Sequence, residues 1–208
     1  MPLDFFTFLI AITLLTMTPG ADTMIVMRNT LRGGVKDGLV SSLGICSGLF
    51  VHATLSAVGI SAILLYSATA FIILKSVGAL YLLWLGIGSL KSFWNAKKMH
   101  QKTVVHKPFS FWTSLREGFL SNVLNPKAIV FYMAFLPQFI SHESSVLAQS
   151  LFLAFLHFIV GTIWQGILVY TIVSANGFIT NKSVRQSLDA ISGIVMIGLG
   201  IRLFLEKR

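Results

Sequence analysis

The sequence contains six long apolar runs separated by short polar stretches, and this pattern limits the folds that the chain can adopt. A helix needs about 20 apolar residues to cross the hydrocarbon core of a bilayer, and each run is about that long or longer. Only 11% of the residues are charged, whereas soluble domains carry about 25%. The sequence therefore predicts an all-α membrane protein with six transmembrane helices. The predicted spans cover residues 3–27, 38–65, 68–93, 115–140, 146–174 and 187–204.

The positive charges of the linkers predict how these helices cross the membrane. Linkers 2–3 and 4–5 contain no Lys or Arg, whereas the other three linkers are basic. Short loops rich in Lys and Arg stay in the cytoplasm, so both termini are predicted to lie outside. This orientation explains the net charge of +9 without a basic soluble module that binds nucleic acid. The basic linker residues are Arg28, Arg32, Lys36, Lys97, Lys98, Lys102, Lys107, Lys182 and Arg185.

Three spans in each half would place the two halves in opposite orientations. We expect one integral membrane domain, 1–208, made of a first half (1–93), a basic cytoplasmic linker (94–114) and a second half (115–208). Prolines interrupt the first span of each half, which predicts broken helices in spans 1 and 4. Interruptions at matched positions of two inverted repeats indicate a binding site between them near the midplane. Two unrelated proline kinks are the alternative.

The break in span 1 carries an acidic residue, and the break in span 4 carries a basic one. Proline removes a backbone donor at position 19, and Asp22 follows three residues later. A carboxylate inside an apolar run is costly unless it faces a cavity or a partner. Asp22 and Lys127 would neutralise each other in an empty site, and a zwitterionic ligand would replace that pair. In the alternative, Asp22 caps a half-helix and Lys127 reaches an interface.

A stripe of small and polar residues adds further candidates on span 2. Gly44, Gly48 and His52 recur every four residues and so share one helix face. Close helix packing is the first explanation for the glycines, and a polar pathway is the second. His157 lies on a similar stripe of span 5. The candidate residues for substrate binding or coupling are Thr18, Pro19, Gly20, Asp22, Gly44, Gly48, His52, Asn125, Pro126 and Lys127.

Other functions have weaker support in the sequence. A cation or metal permease that uses Asp22, His52 and His157 is the alternative function, although these residues are few and widely spaced. No His-Glu-x-x-His, Gly-x-Ser-x-Gly or paired-carboxylate motif is present, so we expect neither an enzyme nor a cofactor. Cys46, the single cysteine, lies inside an apolar run and is interpreted as a packing residue.

Several segments resemble the LysE/RhtB family of amino-acid exporters. The resemblance covers nearly the whole chain and is carried by residues 18–22, 28–34, 42–48, 78–86, 119–128 and 135–139. It implies an exporter of amino acids or close derivatives in the bacterial inner membrane, driven by the proton gradient. It also implies five or six spans in two related halves. Assembly into a homo-oligomer is possible, but the sequence does not give the oligomeric state. The family signature commonly has Pro and Asn where this chain has Ala21 and Asp22. The added charge would favour a cationic group on the substrate or carry the coupled proton.

Overall fold

The computed structural model describes residues 2–66, 68–94, 108–141, 144–174 and individual positions between 186 and 204, and the regular secondary structure among them is all helical. The helices are α1 (Pro2–Met17), α2 (Ala21–Tyr66), α3 (Ala68–Trp94), α4 (Phe111–Val123), α5 (Pro126–Val130) and α6 (Val146–Ser174). The π-helical turn Phe131–Phe135 and the 3-10 turn Leu136–Phe139 prolong α5, and together they form the α5 extension.

Two helical segments of the described chain, Ala21–Gly59 and Val146–Ser174, are long and apolar enough to cross a membrane. A third span results if Phe111–Val123 and Pro126–Phe139 are taken as one helix bent by 49°. The outward face of α6 consists mainly of large apolar side chains, whereas its inward face carries small and polar residues beside Leu153, Leu168 and Val169. Such a surface suits lipid rather than water, so the chain is an all-α membrane protein. The outward residues include Phe155, Ile159, Ile163 and Ile167, and the inward ones include His157, Gly161 and Gln165.

Both predicted breaks are confirmed, but the predicted polar linker between spans 1 and 2 is wrong. The helix continues through that region and is interrupted only at Gly33 (φ −131°, ψ 15°) and Gly34 (φ 76°, ψ −163°). A positive φ is open to glycine at no steric cost, so the chain reverses here within two residues. We call the two parts α2a (21–32) and α2b (35–66). The glycine pair thus takes the place of a loop, and Arg32 pairs with Asp37 across it.

The two broken spans lie side by side and run antiparallel. Their contacts pair rising residue numbers on α1 and α2a with falling numbers on the α5 extension, α5 and α4. The two breaks therefore face each other, as the sequence predicts. The contacts that establish this order are Phe8 with Phe139, Leu15 with Lys127, Asp22 with Asn122, and Arg28 with Glu117.

The glycines of α2b pack its backbone against α4. A Cβ added at Gly44 would lie 2.1 Å from the Leu115 carbonyl oxygen, and one at Gly118 would lie 2.0 Å from the Ser41 carbonyl oxygen. A Cβ at Gly48 would lie 2.7 Å from Asn122 Oδ1. Small residues thus allow the close approach of two membrane helices. Packing, the first of the two explanations for these glycines, accounts for their positions.

Two further helix pairs are antiparallel. On α2b and α6, Gly38 faces Val169 and Cys46 faces Gly161, so the residue numbers run in opposite directions. On α3 and the C-terminal positions, a Cβ at Gly86 would lie 2.8 Å from the Gly193 carbonyl oxygen. One at Gly200 would likewise lie 3.0 Å from the Ala79 carbonyl oxygen. Each helix of the first half therefore packs antiparallel against a later segment.

A cluster of large aromatic side chains fills the region between α1 and the α5 extension. Phe8, Phe131, Tyr132 and Phe135 are each at most 1% exposed, and Phe8 packs edge-on against Phe139 at a centroid distance of 5.2 Å. This end of the paired spans is consequently apolar, which distinguishes it from the end formed by α2a and α4.

Candidate functional site

The first break separates α1 from α2 by three residues. The hydroxyl of Thr18 donates to the Leu14 carbonyl (2.7 Å), which closes the last turn of α1. The Gly20 carbonyl accepts the N–H of Met24 (3.1 Å) and so begins α2. Pro19 lies between them without a backbone donor to satisfy. Thr18, Pro19 and Gly20 therefore shape the break.

The second break places Asn125 at the N-terminus of α5. Its side-chain oxygen accepts the backbone N–H of Lys127 (3.0 Å), and Pro126 occupies the first helical position. Asparagine at the cap and proline at the first turn are a favoured helix start. The other end of the Asn125 side chain remains free to donate, and it donates to Asp22.

Three side-chain donors hold the carboxylate of Asp22. Ser121 Oγ donates to Oδ1 (2.8 Å), and the Nδ2 groups of Asn122 and Asn125 each donate to Oδ2 (3.0 Å). Asp22 also lies in the first turn of α2, where the helix dipole stabilises negative charge. These contacts fix the Asp22 side chain at the interface of the two breaks.

Lys127 contacts the end of α1 instead of Asp22. Its Nζ donates to the carbonyl oxygens of Leu15 and Thr18, at 3.0 Å each. These carbonyls lie at the C-terminal end of a helix, where the dipole favours a cation. Within the described chain, Asp22 and Lys127 do not form an ion pair. The sequence suggested that Asp22 and Lys127 neutralise each other directly. In the structure, each of the two charges has its own polar partners instead.

Asp22 and Lys127 nevertheless line one cavity, which we call the break cavity. Its volume is about 40 Å³, enough for a few water molecules. Of the ten candidate residues, Asp22, Asn125 and Lys127 line it, whereas the other seven do not. Leu15, Thr16, Thr23, Ile45, Cys46, Leu49, Asn122, Ala128, His157, Gly161, Trp164 and Gln165 complete the lining.

Gln165 of α6 is a cavity residue that the candidate list omits. It is 7% exposed, and its Oε1 has no hydrogen-bond partner among the described residues. A buried carbonyl oxygen without a donor is costly, so a donor brought by a ligand or water would be stabilised here. The stripe of span 5 that carries His157 predicted close packing of this helix face, but nothing in the sequence singled out Gln165.

The two histidines are engaged in hydrogen bonds within the helix bundle. His52 Nε2 lies 3.0 Å from the Asn122 carbonyl oxygen, which can only accept, so this nitrogen carries the proton. His157 lies between the hydroxyls of Thr16 (3.0 Å) and Tyr132 (3.1 Å). In the described part of the chain, no three His, Cys, Asp or Glu side chains converge as they would around a metal ion.

A second polar cluster, missed by the sequence analysis, surrounds the Gly33-Gly34 interruption. Arg32 donates two parallel bonds to Asp37 (2.8 and 2.9 Å) and two to Glu117 of α4 (3.0 and 3.2 Å). Arg28 also contacts Glu117 (2.7 Å), and the side chain of Asp37 is fully buried. We call Arg28, Arg32, Asp37 and Glu117 the ion network. From the sequence, we expected only that Arg28 and Arg32 belong to a basic linker.

Comparison with known proteins identifies the family. The family model described as "LysE type translocator" matches residues 13–207. The chain belongs to the LysE family. Members are translocators, so this LysE-family chain is not an enzyme. Its apolar helices and its bacterial membrane-protein relatives place it in the bacterial inner membrane.

Relatives resemble the LysE-family chain over most of its length. An uncharacterized membrane protein of Bacillus subtilis, YrhP, is 34% identical and covers 93% of this chain and 94% of its own. A homoserine/homoserine lactone efflux protein of Salmonella typhimurium is 34% identical over 71% of this chain and 70% of its own. A leucine efflux protein of Enterobacter is 28% identical, with 97% and 95% covered. No solved structure matches the chain.

Proposed function

We propose that this LysE-family protein is a secondary transporter that exports amino acids or close derivatives from the cytoplasm. The observation that carries the proposal is the break cavity, where Asp22 and Lys127 line one space between two antiparallel broken helices. Relatives named as homoserine and leucine efflux proteins support export of amino acids. They do not identify the substrate of this chain.

The remaining hydrogen-bonding capacity of the two charged groups suits a zwitterion. An ionised carboxylate has about four acceptor positions, and side-chain donors occupy three of those of Asp22, which leaves about one for a ligand. An ammonium has three donors, and Lys127 uses two on the carbonyls of α1. A substrate ammonium at Asp22 and a substrate carboxylate at Lys127 would complete both sets. Gln165 Oε1 offers the ammonium a further acceptor.

We infer that the architecture is six spans in two inverted three-helix repeats, residues 1–93 and 115–208, joined by a cytoplasmic linker over 94–114. The antiparallel packing of the two broken spans, of α2b with α6 and of α3 with the C-terminal positions supports this arrangement. An inverted repeat would make the two breaks equivalent and would put the substrate site on the pseudo-symmetry axis. Alternating access then follows from relative movement of the two halves.

Coupling to protons is part of the proposal. Asp22 is the carboxylate of the break cavity, and a membrane carboxylate that faces a cavity is suited to exchange a proton for a cation. Protonation of Asp22 from outside would release the substrate ammonium, and loss of that proton to the cytoplasm would restore the site. Transport would then be an antiport of amino acid and proton.

Efflux from cells tests the proposed function. Cells that express the protein are loaded with labelled amino acids or dipeptides, and the loss of label is followed after transfer to label-free medium. We expect faster loss of at least one amino acid than in cells with the empty vector, and little gain with the Asp22→Asn variant. Equal rates for every amino acid, with the protein present in the membrane, would contradict the proposal.

A further inference from the structure

We propose that the ion network is a latch that holds the cytoplasmic end of the break cavity closed and must separate before the cavity opens on that side. Its role in transport rests on the proposed function, but its closure is a property of the protein alone. The network joins three helical segments, because Arg28 and Arg32 belong to α2a, Asp37 to α2b and Glu117 to α4.

The position of the network follows from the helices that carry the cavity. Along α2a, Arg32 is ten residues beyond Asp22, and along α4, Glu117 is five residues before Asn122. At 1.5 Å per residue, the network lies roughly 8–15 Å from the cavity carboxylate, at the end where the basic linkers lie. The positive-inside rule assigns this end to the cytoplasm. Separation of α2a from α4 would therefore open the cavity to the cytoplasm.

The two ends of the paired broken spans are closed by different chemistry. At the far end, aromatic side chains such as Phe8 and Phe135 make an apolar contact that excludes water. At the network end, Glu117 keeps 30% and Arg28 keeps 49% of its side chain exposed. Water can hydrate these charges when they separate. Because desolvation offsets much of the attraction in a partly buried ion pair, such a contact is separable at modest cost.

The backbone beside the network is built as a hinge. Gly34 adopts φ 76°, and a Cβ there would meet nothing within 4 Å. Gly33 is confined by Asp37, because a Cβ at Gly33 would lie 2.5 Å from Asp37 Oδ2. The salt bridge of Arg32 with Asp37 spans this hinge (2.8 Å). Arg32, which ties α2a to α4 through Glu117, thus also fixes the angle between α2a and α2b through Asp37.

The single cysteine provides a direct test of the latch. Cys46 lines the break cavity and is 1% exposed. We would measure its labelling by a membrane-impermeant maleimide in inside-out vesicles, where the cytoplasmic face is accessible. Glu117→Gln removes the shared acceptor of Arg28 and Arg32, and we expect labelling about ten-fold faster, which corresponds to the loss of one charge-assisted hydrogen bond. Right-side-out vesicles should show no such gain.

Two further variants make the result decisive. Arg28→Gln, at a half-exposed position, should also accelerate labelling. The double variant should add little to Glu117→Gln, because Glu117→Gln already weakens the contact of Arg28 with this side chain as well as that of Arg32. Arg116→Gln, on the exposed face of α4 beside Glu117, should label at the wild-type rate. Unchanged labelling in folded Glu117→Gln and Arg28→Gln variants would overturn the latch, as would equal acceleration by Arg116→Gln. Labelling needs no substrate, so accelerated labelling together with absent amino-acid efflux would sustain the latch and refute the proposed function.

Discussion

Replacement of Asp22 by Asn changes the charge at the centre of the site and little of its shape. In the native structure, Ser121, Asn122 and Asn125 all donate to the carboxylate. The amide of the Asp22→Asn variant has one acceptor oxygen, and its NH₂ group would face at least one of these donors. One hydrogen bond is therefore lost, and the others lose their charge assistance.

The size of the effect can be estimated from these contacts. A hydrogen bond to a charged group contributes about 1.5–3 kcal/mol, and a neutral one about 0.5–1.5 kcal/mol. The loss of one bond (about 1.5–3 kcal/mol) and the weakening of two others (about 1–1.5 kcal/mol each) give at least about 3.5 kcal/mol of destabilisation. In a protein of this length, that lowers Tm by roughly 7–14 °C. If Asp22 also binds the substrate ammonium, the lost contact weakens substrate binding by about 10–150-fold.

The two effects are separated by measuring thermal unfolding and efflux from liposomes on the same purified variants. Ser121→Ala is the matched control, because it removes one donor to Asp22 and leaves the charge. We expect it to cost about 1.5–3 kcal/mol and to change efflux less than about three-fold. An Asp22→Asn variant with wild-type Tm and wild-type efflux would refute the assignment of Asp22. Equal efflux losses in both variants would reduce its role to that of a structural partner.

Three further changes test the packing and the second charge. Gly118→Ala should lower Tm strongly, because the new Cβ would lie 2.0 Å from the Ser41 carbonyl oxygen. Gly166→Ala is the control: its Cβ would meet no described atom within 4 Å, so Tm should stay unchanged or rise. Gly34→Ala should destabilise the protein by about 1–2 kcal/mol through its positive φ, measured by thermal unfolding; an unchanged Tm would argue against the sharp interruption. Lys127→Met should lower both Tm and efflux, since two carbonyls at the end of α1 lose a charged donor. Retained efflux with a lowered Tm would make Lys127 a helix cap only.

The helices and their breaks were largely readable from the sequence because their signals are local. Hydropathy predicted span 5 over 146–174, the same residues that form α6, and the two proline breaks fall where predicted. The start of span 4 moved by a few residues, since α4 already begins at Phe111. Ten of the eighteen residues of the predicted sixth span, 187–204, are described, and all ten are helical.

The partners of the charged residues could not be predicted in the same way. Asp22 and Lys127 line the same cavity, but their hydrogen-bond partners depend on how α1, α2 and α4 meet. The carbonyls that bind Lys127 exist only because α1 ends beside α5. Periodicity shows which face of a helix is polar, but not which atom on a neighbouring helix will contact it.

The ion network could not be predicted with the positive-inside rule, which describes most loops correctly. Arg28 and Arg32 lie where the rule predicts loop charges that set orientation, and Glu117 is separated from them by 85 positions or more along the chain. The rule reports the side of the membrane but says nothing about pairing. Gly33 and Gly34 were the local signal, because a glycine pair permits a sharp reversal without a loop.

Transport by the purified protein tests whether this chain exports amino acids with a proton gradient as the driving force. The protein is reconstituted into liposomes loaded with one labelled amino acid at a time, and efflux is followed with and without an imposed proton gradient. We predict that at least one amino acid leaves faster than from empty liposomes, and that the gradient accelerates its exit. Efflux equal to that of empty liposomes for every amino acid tested, with the reconstituted protein folded, would contradict the account.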